Sequence, residues 1–133
     1  MKFFARQIYF LMPLAAVFAL GQAHAAQSDI VRFGIDIRPV LSHYCVQCHG
    51  PDEEHRKADL RLDTREGLFG GEGEDRIVAP GKPGESLLFQ RITAHDKDDL
   101  MPPPESKLEM SADEIALIER WIAQGADWED HWA

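Results

Sequence analysis

Cys45-Val46-Gln47-Cys48-His49 is the stretch on which the reading of this chain turns. Its two cysteines are the only ones in a sequence of 133 residues. A disulfide between residues three apart would close a tiny loop and constrain little of the unfolded chain. The pair therefore calls for a chemical explanation. Just upstream, Ile37, Val40, Leu41 and Tyr44 recur at i, i+3, i+4 and i+7, one face of a helix. Asp36 is placed to cap that helix, and Pro39 falls in its first turn, where a missing N–H does little harm. Val31, Phe33, Ile35 and Ile37 also alternate as in a strand. The helical pattern wins, and it predicts a helix from about Asp36 to the motif, ended by Gly50-Pro51.

C-x-x-C-H is the spacing of covalent haem attachment. The Cys45 and Cys48 thiols can add across the two vinyl groups of haem, giving two thioethers. His49, directly after the second thiol, can then reach the iron as proximal ligand. A zinc site wants about four ligands. Cys45, Cys48 and His55 supply three, and no second CxxC pair exists. A thioredoxin-like dithiol wants a βαβ setting, which the sequence does not offer. The expectation is one haem c on Cys45, Cys48 and His49.

A methionine on the other face of the iron would raise the potential and fill the sixth position. Beyond the N-terminal segment the choices are Met101 and Met110. Met110 precedes a helix cap, with Ile115 as its natural partner in a hydrophobic staple. Met101 lacks such a task and lies in the proline-stiffened run Leu100-Met101-Pro102-Pro103-Pro104. Met101 is the expected distal ligand, with His95 its main rival. His43, His55 and His131 are expected in solvent.

Lys2 and Arg6 precede an apolar run, Ile8–Leu20, broken only by Pro13, and Ala23-His24-Ala25 places small residues two apart. This is the pattern of a secretory signal peptide over residues 1–25, cleaved after Ala25. A membrane span needs about 20 apolar residues, so a retained anchor is the lesser alternative and the one route to a membrane. The expected location is the periplasm. The mature chain, Ala26–Ala133, has 108 residues; without Lys2 and Arg6, twelve basic side chains face 23 acidic ones, a formal charge of −11. That charge disfavours nucleic acid and anionic lipid. It suits a redox partner with a basic docking patch, or simply solubility.

The middle of the chain reads as loops. Thr64–Phe69 can form one or two helical turns before Gly70-Gly71, and a short helix after Pro80-Gly81-Lys82-Pro83-Gly84 would carry Leu87, Leu88 and Ile92. Ser111 and Glu114 form a capping box, Ile115, Ile118, Trp121 and Ile122 line one helix face, and Gly125 supplies the stop. Trp121 is expected in the core near Val40 and Leu41. The fold class is mostly α, with helices at both ends. Residues 26–127 form the haem domain, and 128–133 a tail or the start of a linker.

Several stretches together resemble the planctomycete-type cytochrome c domain family. They are Ile37–Leu41 before Cys45–Gly50; Leu60-Arg61-Leu62-Asp63 with Gly70-Gly71; Pro80-Gly81-Lys82-Pro83 before Ser86-Leu87-Leu88; Met101-Pro102-Pro103; and Trp121-Ile122 with Gly125-Ala126. The resemblance implies a small cytochrome c fold whose N- and C-terminal helices pack together. It also implies haem c through Cys45, Cys48 and His49, with Met101 in the family's M-P-P segment. The expected function is single-electron transfer, without substrate chemistry. The alternatives are a haem enzyme or sensor with an open sixth site, or the electron-entry part of a larger oxidoreductase. In this family the domain often opens a longer protein, so a stop at Ala133 leaves a stand-alone cytochrome and a truncated one both open.

Overall fold

The computed structural model describes residues 30–130. The expected signal segment, 1–25, and His131 lie outside the described residues. Among the described residues there is no strand, and the fold is mostly α. Four helices carry it: α1 (Arg38–Tyr44), α2 (Arg65–Leu68), α3 (Leu87–Ile92) and α4 (Ala112–Ala123). Single 3-10 turns at Gly73–Asp75, Pro83–Glu85 and Pro104–Ser106 punctuate the loops between them.

The N-terminal helix starts earlier than its sequence pattern indicates. A π turn, Phe33–Ile37, runs directly into α1, closed by the Arg38 N–H on the Phe33 carbonyl. Pro39 has no N–H to give to the carbonyl four residues back, and the wider turn before it accommodates that loss. Asp36 therefore does not cap α1 from outside. It sits within the π turn and reaches back, accepting from the Arg32 N–H at 2.8 Å. The strand-like alternation dissolves as well. Phe33 and Ile37, four apart, are buried, whereas Ile35 is 59% exposed.

α4 carries the capping box in full: the Ser111 hydroxyl accepts from the Glu114 N–H, and the Glu114 carboxylate accepts from the Ser111 N–H. Its other end is closed by two bonds, Ala126 N–H to the Trp121 carbonyl (2.9 Å) and Gly125 N–H to the Ile122 carbonyl (3.0 Å). That pairing is a Schellman motif, and it needs the positive φ of 111° that Gly125 adopts. The short α2 is capped by the Thr64 hydroxyl, which accepts from the Gly67 N–H at 3.1 Å.

The two terminal helices pack together around Trp121, 1% exposed on the buried face of α4 with Ile118 and Ile122. Its ring meets Phe33 at 5.6 Å and Phe69 at 6.3 Å. The nearest aromatic partners thus come from the π turn and from the end of α2, while Val40 and Leu41 belong to the same core. The chain beyond Asp127 joins this packing. Trp128 lies 4.2 Å from the Phe33 ring, and the Glu129 carboxylate accepts from the Gly34 N–H at 3.1 Å. Arg38 donates to the Glu129 carbonyl at 3.0 Å, and the Val31 N–H to the Gln124 side chain at 2.9 Å. A buried Ser86 pins the proline-rich loop: its hydroxyl accepts from the Ala79 N–H and donates to the Lys82 carbonyl, both at 2.9 Å.

Candidate haem site

α1 winds straight into the cysteine motif. The Cys45 and Val46 N–H groups both reach the Leu41 carbonyl, and His49 N–H bonds the Cys45 carbonyl at 2.8 Å. Residues 45–48 are thus one further turn, which turns both thiols and the imidazole out of a single short segment. Gly50 makes the exit possible. A Cβ there would stand 2.2 Å from the Val46 carbonyl oxygen, so no larger residue fits without moving the motif.

The loop after the motif folds back on it. Lys57 N–H donates to the Cys48 carbonyl at 2.7 Å, and Leu62 N–H to the His49 carbonyl at 2.8 Å. This return brings the Lys57 carbonyl to 3.2 Å from Nδ1 of His49. Iron-bound or metal-bound histidines typically anchor their second ring nitrogen in this way.

Cys45, Cys48, His49 and Met101 all line one cavity of about 280 Å³. That is room for several waters at roughly 30 Å³ each, yet the lining is mostly apolar. Leu60, Leu62 and Ile77 come from the loops, Leu87, Leu88 and Ile92 from α3, and Pro102, Pro103 and Leu108 from the segment around Met101. Ala58 and the polar side chains of Tyr44, Gln47, Arg91 and Ser106 complete the wall. None of these wall residues outside the motif and the M-P-P run was assigned to the site from sequence. The one local signal for them is the spacing of Leu87, Leu88, Arg91 and Ile92 along α3.

The other candidates lie elsewhere. His95 is exposed and does not line the cavity. Met110 is half-buried against the main core. His55 is exposed and pairs with Asp52 at 2.8 Å. His43 is exposed and stacks edge-on against Tyr44 at 4.5 Å.

The thiols are unbridged. Burial, aided by the neighbouring Cys48, pushes the Cys45 thiol up to about 12. A disulfide-exchange cysteine is poised the opposite way, as a ready thiolate. Among the described residues no group of three or more His, Cys, Asp or Glu side chains is arranged to hold a metal ion, so a zinc reading lacks its ligand set. An apolar cleft with two thiols, an anchored imidazole and a thioether on its walls fits a haem.

A small helical domain built round such a cleft resembles a c-type cytochrome. Residues 45–105 match the family model described as Planctomycete cytochrome C. No curated protein and no solved structure matches the chain.

Proposed function

We propose that the chain is an exported, monohaem c-type cytochrome domain that passes single electrons to and from a protein partner. The observation that carries this reading is the convergence of Cys45, Cys48, His49 and Met101 on one apolar cavity. Bound haem c would supply one-electron chemistry at its iron. Cys45 and Cys48 would hold the group through thioethers: each S–H would add across a vinyl C=C, with the proton going to the adjacent carbon and no net redox change. His49 would offer Nε2 to the iron, with Nδ1 anchored 3.2 Å from the Lys57 carbonyl. The leucines of the wall keep water out, which protects the site and tunes its potential. Met101, on the wall of the same cavity, would offer its sulfur to the iron. The leader-like pattern of residues 1–25 supports export to the periplasm, and the surplus of acidic side chains supports a partner with a basic patch.

The test is a haem stain on denatured protein together with a pyridine haemochrome spectrum and haem-to-protein ratio. The expected result is one haem per chain that survives denaturation and is lost from the denatured Cys45→Ala/Cys48→Ala double variant. Haem released on denaturation of the wild type sinks the covalent reading. A ferric protein that is high-spin and binds cyanide at once points to an open-site enzyme or sensor instead. N-terminal sequencing of periplasmic protein should begin at Ala26.

A further inference from the structure

The segment bearing Met101 is fastened to α3 through a single residue, Arg91. The Arg91 carbonyl accepts from the Met101 N–H at 3.0 Å. The Arg91 guanidinium pairs with the Asp99 carboxylate and also donates to the Asp99 carbonyl at 3.3 Å. Between these points the chain is turned by Asp96, whose carbonyl accepts from the N–H groups of Asp99 (3.2 Å) and Leu100 (3.0 Å). On the far side of Met101 the buried Pro102 packs into the cavity wall but donates no hydrogen bond. Pro102, Pro103 and Pro104 have no N–H, so they cannot be bonded to a neighbouring element through that group. The hydrogen-bonded restraint on Met101 therefore comes from its N-terminal side, and Arg91 supplies it twice.

Arg91 is also the one permanently charged side chain among those lining the cavity. A guanidinium at the edge of an apolar wall is stable there only with a counter-charge. Asp99 is that counter-charge. The pair is partly exposed, with side chains 39% and 60% accessible, so it adds little to global stability. Its leverage is local, on the few residues it closes into a ring.

We propose that Arg91 is a positioning residue for Met101: its bond to Asp99 sets how firmly the methionine is held at the cavity, and so how readily an outside ligand takes its place. This rests on the reading of Met101 as the sixth ligand. The experiment is the rate of imidazole binding to the ferric holoprotein, compared among the wild type, Asp99→Asn, Asp99→Glu and Met101→Ala. Asp99→Asn should bind imidazole about two- to fivefold faster than the wild type, the scale of one exposed ion pair. Asp99→Glu should restore the slow rate, and raised salt should speed the wild type but not Asp99→Asn. Unfolding midpoints of both Asp99 variants should stay near the wild type. Met101→Ala sets the ceiling, since its site is open throughout. If Asp99→Asn binds at the wild-type rate while Met101→Ala binds fast, the clamp is wrong and the ligand assignment survives. If Met101→Ala keeps the wild-type oxidised spectrum and rate, the ligand assignment falls and takes the clamp with it.

Discussion

Nδ1 of His49 stands 3.2 Å from the carbonyl oxygen of Lys57, eight residues further on. A carbonyl has no proton to give, so the facing nitrogen must carry one, and the neutral ring is left with a bare lone pair on Nε2. Under the proposed function, this contact favours the tautomer that iron ligation by His49 would need. Isotope-edited NMR of the histidine ring in the reduced protein should find a slowly exchanging proton on Nδ1 of His49. A freely exchanging ring proton would contradict this.

The two downstream methionines should separate cleanly. Met101→Ala should lower the reduction potential and convert the ferric spectrum towards high spin, because a thioether ligand favours the reduced iron. Met110→Ala should leave the spectrum and potential alone. It should cost about 1 kcal/mol in urea unfolding, the scale of a half-buried apolar side chain. A spectral change in Met110→Ala would exchange the two roles.

Trp121→Ala should be the most damaging single change in the core. The ring is 1% exposed, and its Nε1–H donates to the Asp127 carbonyl at 3.0 Å. Large-to-small changes at such sites cost about 3–5 kcal/mol, a large share of the roughly 5–15 kcal/mol that holds a domain together. Thermal unfolding should show the loss, and Trp121→Phe should recover part of it.

The start of α4 should respond to acid. The Ser111 hydroxyl, then the Ser111 N–H, hold the Glu114 carboxyl below the usual glutamate range against a smaller desolvation effect, and the Tyr44 hydroxyl adds to them. A depressed folded value means that the contribution is present above the unfolded pKa of about 4.3. It fades as pH falls through the lower folded value. Glu114→Gln should therefore weaken the protein at neutral pH and flatten the acid limb of its stability curve. Ser111→Ala should cost about 1 kcal/mol through the lost cap. An unchanged acid limb in Glu114→Gln would remove this carboxylate from the account.

What the sequence made legible is local. The spacing of Cys45, Cys48 and His49, the S-x-x-E cap and the glycine stop at Gly125 each act over a few residues, and each is present in the structure. The start of the first helix was misread, since Asp36 looks like a cap only if Phe33–Ile37 is left out of the helix. Pro39 and the π turn move the start of the helix back to Phe33, and they add a Phe33 ring contact to Trp121 in the core that also holds Val40 and Leu41. The cavity wall was barely legible. Tyr44, Ile77, Arg91 and Leu108 meet only because the loops fold back, and no short-range period marks such a meeting.

The stitching of Val31 to Gln124, and of Gly34 and Arg38 to Glu129, has a consequence for how the domain can be hung. It brings both ends of the described chain to one pole, and none of the five residues lines the cavity. A tether leaving before Val31 and another leaving after Glu129 would share one attachment point. The domain could swing from it like a pendant, or be spliced into a longer polypeptide there, moored by residues that do not line the cavity.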